Sequence, residues 1–316
     1  MRVTAPRLPG DGRSPPVKNK GSLDWRSRER ALVYVLPALL VLVLIFIYPL
    51  GDAFWTSLQR WNLITGVKRW TGLDNYAKIF GDPAFLEVIR VTFVYSTLSV
   101  ALEFTLGLGL AMAVRAGLRR GLPGFPLIRV LALAPLLVAP LLWAFYFRSF
   151  YSPQFGLFNA ILNGVGLPSV LWVNDPKLAI YSLVLADVWQ WTPFMFSILL
   201  AGLLALPSDV VEAARVDGVP GWRILWSIEL PMLRPVLLVA ILIRTIDSLR
   251  YLDLVLVITQ GGPGRSTEIL NYLAYRTSFQ EFELGRGAAL AFVVFALVMI
   301  AAGALLRVMW KNANAR

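Results

Sequence analysis

The chain contains no cysteine and no histidine. Without thiols there are no disulfides, no thiolate nucleophile and no cysteine metal site. Without imidazole, the commonest general base and the commonest metal ligand are both missing. These absences weigh against a hydrolase or a metalloenzyme, while carboxylate-based catalysis stays open. Charge is scarce too, at 16% of residues, and the acids are outnumbered by the bases, 19 to 30. A net charge of +11 in a soluble protein points to nucleic acid, but here the placement of the bases gives it another meaning. There is also no phosphate-binding loop. The run Gly261-Gly262-Pro263-Gly264 lacks the Lys-Ser/Thr that completes one and follows no strand, so it reads as a tight turn.

What is present is apolar. Hydrophobic residues make up 57% of the chain and the mean hydropathy is +0.65. Several apolar runs reach about 20 residues, enough to cross a hydrocarbon core about 30 Å thick. They predict an all-α membrane protein with six transmembrane helices at about residues 31–50, 88–114, 127–147, 178–204, 235–258 and 287–308, the third broken by Pro135 and Pro140. Residues 1–30 hold eight Lys/Arg among scattered Pro and Gly, which reads as a disordered basic tail rather than a signal peptide. Residues 31–310 form the membrane domain and 311–316 a short second tail. With both ends inside, eighteen Lys/Arg fall on the inner side and ten on the outer, as the positive-inside rule requires.

The stretch 206–235 lies between the fourth and fifth spans and organises the rest. Pro207, Ser208 and Asp209 are helix-start chemistry, with a side-chain oxygen to cap the first amides. The helix should run from Asp209 to Asp217 and stop at Gly218 and Pro220. A second short helix fits Trp222–Leu230, ended by Pro231. Two short helices between spans make a knob suited to a cleft on another protein.

Spans four and five carry polar groups at membrane depth, where a charge costs about 2.5–3.5 kcal/mol and needs a partner, a cavity or a task. Arg244, Asp247 and Tyr251 share one helix face, with Arg250 in reach of Asp247. Asp187, Gln190, Trp191 and Phe194 line a face of span four near Pro193, which removes an amide donor. Two readings stand side by side. Arg244, Asp247 and Arg250 form an ion-pair lock, or the two faces wall a polar, aromatic cavity for a hydroxyl-rich substrate. Glu103, in span two, reads as a structural partner.

Glu212-Ala213-Ala214, with Gly218 six positions after the glutamate and then Ile228 and Leu230-Pro231, resembles the EAA signature of permease subunits of binding-protein-dependent ABC importers. Gly72-Leu73-Asp74-Asn75-Tyr76, Asp82-Pro83-Ala84-Phe85, Thr259 to Gly264, and Thr267-Glu268 through Ala288-Ala289 are similar to stretches of its sugar permeases, nearest to the maltose/trehalose group. Gln260 departs from the small residue usual there. The likeness covers about residues 31–310.

The resemblance implies a MetI-like permease bundle whose 206–235 loop is a coupling helix seated on a cytoplasmic ATPase. Glu212 would meet a basic residue of that ATPase, Ala213 and Ala214 would permit close approach, Gly218 would make the sharp turn, and Asp217 would belong to the same ATPase-coupling surface. It implies a second related permease, two ATPase copies holding ATP and Mg, and an external binding protein that delivers a disaccharide such as trehalose or maltose. No cofactor, metal or catalysis belongs to this chain, whose place is a bacterial or archaeal cell membrane, in contact with lipid and not nucleic acid. The runner-up substrate is glycerol-3-phosphate, held by Arg244 and Arg250. From other classes, a membrane-embedded transferase would use Asp187, Asp247 and Glu103, and a channel would pass solute without ATP.

Overall fold

The computed structural model describes residues 25–313, so most of the basic tail expected at 1–30 lies outside the described residues, as do the last three. Residues up to Asp52 and residues from Ala53 onward form two units. The first is helical from Trp25, and its membrane-length part (α1, Tyr34–Ser57) runs on into the second unit, seven residues past the end expected at Leu50. Among the described residues, five helices are long and apolar enough to cross a membrane, or six if one bent pair counts as a single span.

The second unit opens with a small antiparallel hairpin, β1 (Gln59–Trp61) against β2 (Lys68–Trp70), and a short helix, α2 (Asp74–Gly81). Then comes its longest element, α3 (Pro83–Arg119, 37 residues). Asp82 caps it, accepting from the Ala84 amide at 3.0 Å, and Pro83 occupies the first turn, where its missing donor costs nothing. At 1.5 Å per residue α3 is about 55 Å long, well beyond the hydrocarbon core.

The third span is broken. α4 (Phe125–Leu131) and a tight turn at Ala134–Leu137 are followed by α5 (Pro140–Phe150), and the two arms meet at 91°. The span over 127–147 is thus broken at its prolines, as the sequence predicts. Ala139, forced away from helical geometry by Pro140, is extended at φ −59° and ψ 134°. A short helix, α6 (Leu157–Gly164), precedes α7 (Ala179–Ala205), which packs along α3. They meet closely at Gly107, where a Cβ would lie 2.8 Å from the Met195 Cβ and 3.0 Å from the Phe196 amide nitrogen. Leu108, Ala111, Phe196, Leu199 and Leu203 are buried around that crossing.

The knob helix α8 (Ser208–Val216) leads into α9 (Gly221–Leu249). Here the prediction fails at both ends of the fifth span. Pro231 does not end a short helix, because a widened turn over Leu225–Glu229 shifts the backbone register just ahead of it. The helix that should continue to Ile258 instead stops at Leu249, and a separate turn at Val255–Thr259 follows. Gln260 then takes a left-handed φ of 52°, a conformation that favours glycine and accounts for the small residue usual in the family's pattern. α10 (Leu270–Phe279) and α11 (Leu284–Ala313) complete the unit, with Gly285 set directly against the Gln59 backbone of β1.

Candidate functional site

At the centre of the bundle α3, α7 and α9 are joined by one buried ion network. Arg244 Nε donates to Glu103 Oε2 at 2.6 Å, and its Nη2 donates to Glu103 Oε1 at 2.7 Å and to Asp187 Oδ2 at 2.6 Å. All three residues are fully buried. The expected lock between helices is present, but Arg244 makes it with Glu103 and Asp187, not with Asp247 and Arg250. Arg244 reaches inward to acids on two other helices, while Asp247, about 60° round the helix, is half-buried and pairs with the exposed Arg250 at 2.7 Å. The network holds two acids to one base, and Asp187 Oδ1 and Arg244 Nη1 make no hydrogen bond among the described residues. Breaking such a sealed group costs far more than its formation contributes, because a bare charge is left inside.

A neutral hydrogen-bond chain runs beside it. Tyr251 donates to Gln190 Oε1 at 3.0 Å, and Gln190 Nε2 donates to the Val138 carbonyl at 3.1 Å. The break in the fifth span is thereby tied, through α7, to the break in the third. Trp143 Nε1 to the Ala186 carbonyl (2.9 Å) and Tyr151 to the Ser182 carbonyl (2.6 Å) fasten α5 along α7. Ser96 and Ser248 join α3 to α9 through their hydroxyls.

The structure thus sorts the predicted substrate residues into two groups. Asp187, Gln190, Arg244 and Tyr251 are buried and committed to one another, to Glu103 or to backbone. Trp191, Phe194 and Asp247 are half-buried and keep an open face. Trp191 links the groups, its ring centre 4.9 Å from the Arg244 guanidinium carbon and 6.2 Å from the Phe194 ring.

The knob has its own geometry. α8 ends where the sequence places the end, with Gly218 left-handed at φ +75° and the Asp217, Gly218 and Val219 amides bonded back to Ala213, Arg215 and Ala214 carbonyls, each at 3.0 Å. Glu212, Ala213 and Asp217 are exposed. Ala214 is not. It is 7% exposed and packs with Val211 and Ile224, so its small size serves the contact between α8 and α9 rather than an outside partner. The expected side-chain cap is also missing: no side chain caps α8, and Ser208 donates instead to Asp209 Oδ1 at 3.1 Å. Below the knob Arg115 Nη2 donates to Glu229 Oε1 at 2.6 Å, a buried pair between α3 and α9 that sequence spacing gave no sign of.

Membrane-length helices with two broken spans, a sealed polar core and a projecting knob are the build of a transporter's membrane subunit. Residues 105–314 match the family model of the binding-protein-dependent transport system inner membrane component, and the chain belongs to that family as an ABC transporter permease. Among its relatives, the trehalose/maltose transport system permease protein MalF of Thermococcus litoralis is 37% identical over 277 residues, covering 88% of this chain and 92% of that one. The trehalose transport system permease protein SugA of Mycobacterium tuberculosis is 36% identical, covering 88% of each. In fold, the chain is similar to one in the crystal structure of a bacterial alginate ABC transporter in complex with an alginate pentasaccharide-bound periplasmic protein. That match has a TM-score of 0.74 at 21% identity and covers 90% of this chain and 98% of that one.

Proposed function

We propose that the chain is one half of the translocation path of an ATP-driven sugar importer. It pairs with a second, related permease, takes sugar from an external binding protein, and is driven by two copies of a cytoplasmic ATPase that hold ATP and Mg. The observation that carries the reading is the knob: Glu212 and Ala213 stand exposed on a helix joined at one end to α7 and at the other to α9. These two helices share the Arg244 network, so a push on the knob moves the polar core as a unit. The chain itself transmits force and binds; hydrolysis belongs to the ATPase. The excess of basic residues on the tail and knob sides supports placing both ends and the knob in the cytoplasm.

A disaccharide of the trehalose or maltose type fits best, supported by the named substrates of MalF and SugA and by the open faces of Trp191, Phe194 and Asp247. Aromatic rings take the C–H face of a sugar and a carboxylate takes its hydroxyls. Glycerol-3-phosphate is less well served, since Arg244 is sealed and already bonded to two carboxylates. The test is reconstitution with the partner subunits, measuring ATP hydrolysis against a panel of sugars and glycerol-3-phosphate. Stimulation by a disaccharide supports the reading; hydrolysis that responds only to the phosphate ester overturns it.

A further inference from the structure

Where the knob meets the end of α3 there is a cavity of about 140 Å³ that neither the central network nor the exposed face of α8 uses. Its walls include Arg115 and Arg119 from α3, Arg215 from α8, and Gly221, Ile224 and Glu229 from α9. Arg115 is 5% exposed and spends one nitrogen on Glu229, but its Nε is buried with no partner among the described residues. Arg119 and Arg215 are exposed and belong to none of the ion pairs among the described residues. Glu229, already paired, and the exposed Glu212 both act electrostatically on Arg119. Two guanidiniums therefore face the cavity outside any ion pair among the described residues, with an unspent donor behind them.

The backbone adds to this. α9 begins at Gly221 after Pro220, whose carbonyl accepts from the Arg223 and Ile224 amides. The Gly221 and Trp222 amides ahead of them have no partner among the described residues, at the positive end of a 29-residue helix. One turn apart on the same helix, Trp222 and Trp226 are 64% and 65% exposed, the placing of aromatic side chains at a membrane–water boundary.

We propose that this cavity binds a phosphate group between Arg119 and Arg215 at the start of α9, in the size range of an anionic lipid headgroup phosphate or a free phosphate ion. Guanidinium forks and free helix amides match the tetrahedral oxygens of phosphate. A bound phosphate ties α8 to the end of α3. Its bearing on coupling rests on the function proposed above; its binding does not.

The experiment uses the full chain in bilayers of phosphatidylcholine and phosphatidylglycerol in equal parts. Native mass spectrometry counts the phosphatidylglycerol retained, and inorganic phosphate is added as competitor in one arm and as the sole anion in phosphatidylcholine in another. Arg119→Gln and Arg215→Gln should each lower anion affinity about tenfold or more, the loss of a charge-assisted hydrogen bond. Arg120→Gln, at the same helix end but outside the cavity, should bind as the parent does. Retained lipid that phosphate does not displace assigns the lipid as source; binding of phosphate alone assigns the free ion. Binding in neither arm, or equal losses in all three variants, overturns the site.

Discussion

Arg244 is the residue on which the interior depends, and its neighbours fix what its loss would do. Arg244→Ala leaves Glu103 and Asp187 facing each other without a counter-charge, a change that costs about 3–5 kcal/mol in comparable buried pairs. Glu103→Gln removes the surplus negative charge and keeps an acceptor for the guanidinium, so it should lower the melting temperature of the purified chain much less. Equal losses for the two variants would show that the network is not held by its charge balance. Gly218 is the other residue whose part is set by backbone alone. At φ +75° any side chain is strained, and Gly218→Ala should destabilise the knob by about 1–2 kcal/mol. Faster proteolytic nicking between α8 and α9 would report it; unchanged nicking would contradict the assignment. Gly218 could be read from its place after a helix-length run. Glu103 as the partner of Arg244 could not, because the two are 141 positions apart and no local pattern links them.

Among the elements, the breaks matter more than the helices. Pro135 and Pro140 made the bend in the third span visible in sequence, whereas Pro231 misled, since the widened turn ahead of it lets α9 continue. The stop at Leu249 was invisible: apolar residues continue to Ile258, and hydropathy senses lipid but not the tertiary bonds that hold a break open. Gln190 is the bond that matters there, because it holds Tyr251 on one side and the Val138 carbonyl on the other. At the far end of α9 the Arg115–Glu229 pair anchors the knob to α3. Glu229→Gln should weaken the link between ATP hydrolysis and uptake, and exchange of the pair, Arg115→Glu with Glu229→Arg, should recover part of it. An exchange no better than the single change would mean that the pair does not carry the connection.

At the scale of the whole molecule the proposed function is that of a lever: a knob outside the bundle, two helices leading inward from it, and a sealed network that would make them move together. Trp191→Ala, beside that network on an open face, should raise the sugar concentration needed for half-maximal stimulation of ATP hydrolysis while leaving the maximum rate nearly unchanged. A fall in the maximum with no change in that concentration would place Trp191 in the lever and not on the path. The absence of cysteine allows the central claim to be tested cleanly, since any cysteine introduced is the chain's own single thiol. Ala213→Cys is exposed on α8 and Ala214→Cys is packed against α9. In membranes holding the assembled transporter, Ala213→Cys should crosslink to the ATPase subunit and Ala214→Cys should react poorly. A chain crosslinked to no ATPase from position 213, with uptake intact, would contradict the account.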